Sequence, residues 1–140
     1  MILYRGTLKP EDRPTPVEHH CAFFSTSWGY AMDYATQTGG RGYLQTYIAP
    51  DDLVLLDMHD PKARALGQEY LGRELPEPDY VKVWRDPLLE LFRYPEKEWI
   101  EGLQKLGYQG TTTGDDICVF DTSKFSQISQ ESVGGKRRRS

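Results

Sequence analysis

Cys21-Ala22-Phe23-Phe24-Ser25-Thr26-Ser27-Trp28-Gly29-Tyr30-Ala31-Met32-Asp33-Tyr34-Ala35 reads as a short strand that passes directly into a helix. Cys21 to Ser25 is an apolar run closed by a hydroxyl residue, as in a buried strand. Ser27 stands where a helix needs a cap, and Tyr30, Ala31, Tyr34 and Ala35 then recur at helical spacing until Gly39-Gly40 stops them. Toward the N-terminus, Ile2-Leu3-Tyr4 opens a strand ended by Gly6, and Pro10, Pro14 and Pro16 exclude a continuous helix in the loop after it. Toward the C-terminus, Tyr43 to Ile48 alternates in a strand pattern and Leu53-Val54-Leu55-Leu56 is a short buried run.

From Asp60 the character changes. Lys62 to Leu71 predicts a helix, Pro76 and Pro78 break it, and a polar, aromatic-rich region of helix and loop extends to Pro95. Glu96 to Leu106 predicts an amphipathic helix with Trp99, Ile100, Leu103 and Leu106 on one side and Gly107 as its terminator. Tyr108-Gln109-Gly110 begins a strand, a threonine-rich turn runs from Thr111 to Gly114, and Ile117-Cys118-Val119-Phe120 is a buried strand. After Asp121 the chain turns polar and is expected to fray. The class is α+β, with one domain over 1–128 and a flexible basic tail over 129–140.

At 140 residues one domain with its own core is the default. No apolar stretch reaches the roughly 20 residues that cross a bilayer, and Met1 to Leu8 lacks a signal-peptide pattern, so a cytoplasmic protein with no membrane partner is expected. A net charge of −4 argues against a body that coats nucleic acid. The exception is Gly134-Gly135-Lys136-Arg137-Arg138-Arg139, which suits an acidic partner, RNA or DNA, or is simply a frayed end. Cys21 and Cys118 read as free buried thiols rather than as a disulfide or zinc framework. His19-His20 point to opposite faces of an extended segment and make a poor chelate. Asp51-Asp52 and Asp57 lack a calcium-loop pattern, and Gly39-Gly40-Arg41-Gly42 reads as a hairpin turn. No metal is expected.

Three separated pieces carry the candidate chemistry: Leu3-Tyr4-Arg5-Gly6-Thr7, Phe23-Phe24-Ser25-Thr26-Ser27 with Ala31 and Tyr34 beyond it, and Asp115-Asp116-Ile117-Cys118-Val119-Phe120. Each makes physical sense alone. Gly6 leaves the backbone open, so its N–H and C=O can pair with the carboxamide of a nicotinamide. Ser25, Thr26 and Ser27 place short hydroxyls at a strand-to-helix junction, suited to a ribose and equally to capping. Phe23 and Tyr34 are spaced to bracket a flat ring, or to pack as core. A carboxylate at Asp116 could stabilise the positive charge that builds on a ribose as its base leaves.

Together the pieces resemble the ADP-ribosyltransferases, and within them the arginine-serine-glutamate class and small bacterial and phage members. The resemblance covers about 35 residues and none of the span from about Asp60 to Pro95. It implies a split fold, two small and mostly antiparallel sheets around a cleft for NAD+ as co-substrate, with flanking helices. It implies that Tyr4, Arg5, Gly6, Thr7, Phe23, Ser25, Thr26 and Tyr34 line that cleft, Arg5 meeting the pyrophosphate. Asp116 would be the catalytic acid, supported by Ser25 and Arg5, where the family has glutamate. Thr113, Gly114 and Asp115 would face the acceptor, a protein by preference. Arginine-modifying relatives carry Gln or Glu where this chain has Gly114, so arginine is not supported as the target. By the same resemblance, a small stand-alone transferase of this kind fits a toxin, an effector or a phage protein that disarms its host. A binding module that keeps the fold and inhibits by occupation is the rival.

Overall fold

The computed structural model describes residues 1–11, 14, 21–36, 40–76 and 86–134. In chain order they form β1 (Ile2–Thr7), β2 (Ala22–Ser25), α1 (Trp28–Ala35), β3 (Arg41–Ile48), β4 (Leu55–Asp57), α2 (Pro61–Leu71), α3 (Pro87–Arg93), α4 (Lys97–Lys105), β5 (Gly110–Thr112), β6 (Asp116–Val119) and β7 (Ser126–Gly134). His19-His20, Gly39 and the basic tail from 135 onward lie outside the described residues.

Local chemistry explains most boundaries. The Ser27 hydroxyl accepts from Tyr30 N–H at 3.2 Å and caps α1. Asp60 and Asp86 cap α2 and α3 in the same way, each followed by a proline at the first helical position, where no N–H is needed. Gly72, at φ 70°, and Gly107, at φ 94°, take the left-handed backbone that ends α2 and α4.

The strands join in one mostly antiparallel sheet of order β4-β5-β6-β2-β1-β3-β7, with β4 and β5 its parallel pair. Two small sheets were expected. The two halves are instead bridged at one position, where Tyr4 pairs with Ser25, whereas β1 matches β3 over six residues. Beyond that bridge β1 and β2 have no further register pairs.

Period-two alternation sorts the side chains into two layers. On one side Cys21 and Cys118, with Phe23, pack against Leu88, Leu91 and Phe92 of α3 and Trp99, Ile100 and Leu103 of α4. On the other side Leu3, Ala22, Phe24, Tyr47, Ile117 and Val119 form a second core, closed by Phe125, whose ring lies 5.0 Å from that of Phe24. The cysteines are free and buried, as expected, yet β2 and β6 bring them together, and Cys21 hydrogen bonding, ahead of burial, holds the Cys118 thiol well above its ordinary range.

The polar C-terminal stretch is not frayed: Ser126–Gly134 is a nine-residue strand along β3, so the unit continues past residue 128. Its anchors are hydrogen bonds. Fully buried Gln45 donates to Gln130 Oε1 at 2.7 Å, and the Tyr47 hydroxyl donates to Gln127 Oε1 at 2.8 Å. Thr111 and Thr112, expected in a turn, belong to β5, and Gly42, expected in a hairpin turn, lies inside β3.

Helix α1 rests directly on the backbone of β1 and β3. A Cβ on Gly6 would stand 2.2 Å from the Ala31 carbonyl oxygen, and one on Gly42 would stand 2.0 Å from that of Ala35. Gly6→Ala is therefore expected to cost about 1–3 kcal/mol or more through overpacking. Gly102→Ala, on the exposed face of α4 where a Cβ meets nothing within 4 Å, should instead stabilise by about 0.5–1 kcal/mol. Urea melts of the two variants check the contrast, and equal effects would contradict the close approach of α1.

Candidate functional site

Registers place the site residues before any side chain is considered. Tyr4 pairs with Ser25 and Ser25 pairs with Asp116, and directly paired residues point to the same side of a sheet. Tyr4, Ser25 and Asp116 thus form one row across β1, β2 and β6, on the side where α1 lies. Ser25 is buried, and its hydroxyl accepts from Ser27 N–H at 3.0 Å, which ties the strand end to the helix start. Thr26 N–H donates to the Asp115 carbonyl at 2.9 Å and its hydroxyl to Asp115 Oδ1 at 3.1 Å. These bonds fix the turn from which Asp116 enters β6.

The turn itself is tight. The Thr112 hydroxyl accepts from Gly114 N–H at 3.0 Å and donates to the Asp116 carbonyl at 2.8 Å, and Gly114 sits at φ 113°, a backbone that disfavours a side chain. Thr113 is half-buried, while Gly114 and Asp115 are exposed at the rim.

Among the described residues Gly6 is open on one edge, for a reason that the ladder supplies. Met1 and Ala49 exchange both backbone hydrogen bonds, so by antiparallel alternation Leu3, Arg5 and Thr7 bond to β3, while Ile2, Tyr4 and Gly6 turn their N–H and C=O toward β2. The pairing with β2 ends at Tyr4. The N–H and C=O of Gly6 therefore face the gap between the two strands, beside α1.

Arg5 is not brought to this row. As the neighbour of Tyr4 and Gly6 it points to the opposite side, where its guanidinium carbon lies 5.9 Å from the Phe24 ring centroid. Its Nε bonds Glu11 Oε1 at 2.9 Å and its Nη1 donates to the Phe23 carbonyl at 3.0 Å, and both side chains of the ion pair are nearly buried. The cation expected at a pyrophosphate is instead committed to the sheet. Thr7 also lies on that side, its hydroxyl donating to the Lys9 carbonyl. Of the two aromatics expected to bracket a ring, Phe23 is half-buried and meets Phe92 edge-on at 5.7 Å, while Tyr34 stands exposed on α1.

Two residues were not expected here. The Tyr30 hydroxyl, on α1, faces the Asp116 carboxylate, and that negative charge is the main cause raising the tyrosine pKa. The opposing influence on Tyr30 is the positive charge of Arg93, the last residue of α3. Tyr30 lies one helical turn before Tyr34 and shares its face, but only the Ser25–Asp116 register shows that this face meets the acid.

Asp116 is half-buried, and its pKa is raised first by desolvation and further by Asp115, against the lowering effect of the Tyr30 hydroxyl. A carboxylate of this kind is a poised acid or base. A shallow hollow near Leu71, Leu91 and Tyr94 shares no residue with the Tyr4–Ser25–Asp116 row. Among the described residues no group of three or more His, Cys, Asp or Glu could hold a metal, and no helix is long and apolar enough to cross a membrane. Comparison with protein families, with curated proteins and with solved structures finds no match.

The raised pKa of Asp116 has a thermodynamic sign. Below the ordinary value of 3.8 the carboxyl is neutral whether the chain is folded or not. Above it the unfolded chain ionises first, so stability is lost as pH rises through the folded value. Asp116→Asn is expected to melt above the parent near neutral pH and level with it near about pH 3. Thermal melts at the two pH values test this, and a parent that is the more stable at neutral pH would contradict it.

Proposed function

We propose that this chain binds NAD+, releases nicotinamide and transfers ADP-ribose to a macromolecular acceptor, a protein by preference. One observation carries the reading: the open backbone edge of Gly6 and the Tyr4–Ser25–Asp116 row lie beside the same helix, α1. An amide needs one donor and one acceptor in a plane, and Gly6 offers both toward the gap. Breaking the bond between nicotinamide and ribose builds positive charge on the sugar. The Asp116 carboxylate, kept out of bulk water, stabilises that charge more strongly than the neutral ground state. Ser25 pairs with Asp116 across β2 and β6, Thr26 holds the Asp115 carbonyl one residue before the acid, and Thr113, Gly114 and Asp115 form the rim an acceptor would approach.

Asp116 works here as an ionised group, so the rate falls with pH through its raised pKa. The acid limb of the profile is expected above the ordinary carboxylate range. Incubation with NAD+ and a cell lysate, read by intact mass for an added ADP-ribose, should label a component. Asp116→Ala should reduce labelling by about a hundredfold or more.

A second reading is favoured by the side chain's length. Aspartate is one methylene shorter than the glutamate of the ADP-ribosyltransferases, a reach shorter by about 1.5 Å, and such a displacement can cost about a hundredfold in rate. On that reading the chain grips NAD+ or ADP-ribose and acts by occupation. Asp116→Ala separates the two, because a binder keeps its biological effect and an enzyme loses it. A parent that neither labels a lysate nor binds NAD+ calorimetrically would end both.

A further inference from the structure

NAD+ brings two phosphates as well as a base and a ribose, and the row along the α1 side of the sheet supplies nothing positive to meet them. Asp115 and Asp116 would repel an anion. Arg5 lies on the other side, held by Glu11 and the Phe23 carbonyl. Among the described residues, a cation on the α1 side has to come from another element.

Helix α3 delivers one. Its buried face is Leu88, Leu91 and Phe92, and the Phe92 ring meets Phe23 edge-on at 5.7 Å. Phe23 stands two residues before Ser25 on β2, a spacing of about 6.6 Å along a strand. The C-terminal end of α3 is thereby pinned beside the row, and the next residue after Phe92 is Arg93. This side chain is exposed and makes no ion pair among the described residues. Its positive charge acts on Tyr30, the residue whose hydroxyl faces the Asp116 carboxylate. A guanidinium also presents its donors as a planar fork that matches two phosphate oxygens.

We propose that Arg93 binds the diphosphate of the dinucleotide, holding this anionic bridge of the ligand beside the exposed tyrosines of α1 while Asp116 faces the ribose. This assignment rests on the NAD+ reading of the site. It gives α3 a part in recognition, although the stretch from about Asp60 to Pro95 carries none of the family-like motifs. The plain alternative is that Arg93 only complements the helix dipole at the end of α3, an effect of about 0.3–1 kcal/mol that would be felt as stability and not as ligand affinity.

The test is calorimetric titration of the full chain with NAD+ and with nicotinamide riboside, which has the same base and ribose but no phosphate. Arg93→Ala is expected to weaken NAD+ binding by about tenfold or more and riboside binding by less than about twofold. Arg93→Lys should retain part of the NAD+ affinity, because the charge remains while the fork is lost. Thermal melts confirm that each variant is folded, as the exposure of Arg93 leads one to expect. Unchanged NAD+ affinity in Arg93→Ala, or equal losses for the two ligands, overturns the assignment while leaving the NAD+ reading intact. A folded parent that binds neither ligand overturns both.

Discussion

The pairing of Tyr4 with Ser25 is the constraint from which the arrangement of this chain follows. It joins the half of the sheet made by β7, β3 and β1 to the half made by β2, β6, β5 and β4. On one side of the junction the layers stay continuous, and Leu3, Phe24, Tyr47, Ile117 and Val119 share a core. Past the junction the strands have no register pairs, and backbone groups that a ladder would satisfy are turned into a gap. Unpaired backbone donors and acceptors are costly when dry, so such a gap is stable only if water, a side chain or a ligand meets them. The Arg5 guanidinium meets one of them, the Phe23 carbonyl. Helix α1 crosses the same region at backbone distance because Gly6 and Gly42 have no side chains to hold it off. One junction therefore sets the opening of the sheet, the position of the helix and the alignment of Ser25 with Asp116.

Local signals in the amino-acid pattern were sufficient where the structure is held together locally. Ser27 caps α1, Gly107 ends α4, and the apolar runs at Phe23 and Ile117 are buried strands. The miss at β7 has a definite cause. That strand contacts its neighbour through Gln127 and Gln130 rather than through alternating apolar residues, so hydrophobic periodicity carries no trace of it. Arg5 is a different case, because its side was legible. Consecutive strand residues point to opposite sides, and Tyr4 in the row already implied Arg5 out of it. Tyr30 and Arg93 were legible in no local pattern. Each reaches the site only through tertiary contacts, Tyr30 through the Ser25–Asp116 register and Arg93 through the packing of Phe92 on Phe23.

The buried polar layer between β1, β3 and β7 does work that apolar packing could not. Glu11 takes part through side chain and backbone alike, its carboxylate bonded to Arg5 and its N–H donating to Gln130 Oε1 at 2.8 Å. Gln130 also receives Gln45, and Tyr47, whose pKa is pushed up to about 12 chiefly by burial, reaches Gln127. A buried ion pair contributes little net stability once desolvation is counted. A shift of β7 by one residue would turn both glutamines away from their partners and leave Gln45 and Tyr47 unsatisfied in the interior. The network thus fixes the register of a strand whose own sequence is too polar to fix it by burial. It also anchors the segment after β1 to both edges of this half-sheet.

Asp116 shows the opposing demand. The fold holds a carboxylate half out of water beside Asp115, which favours the neutral acid more than the Tyr30 hydroxyl favours the ionised one, and so works against folding at neutral pH. Its backbone is nonetheless fixed from two sides, by the Thr112 hydroxyl on its carbonyl and by the Thr26–Asp115 bonds one residue earlier. Aspartate has one rotatable bond fewer than glutamate, so a carboxylate launched from a backbone held this firmly loses less freedom when it is aimed. On the proposed reading, a ribose hydroxyl reaching Asp116 must replace the Tyr30 hydroxyl. That exchange of one hydrogen bond for another is close to neutral, so affinity has to come from the groups on either side of that ribose, the amide at Gly6 and the diphosphate at Arg93. The acid is then left to discriminate between ground state and transition state, which a group that also anchored the substrate would do less well.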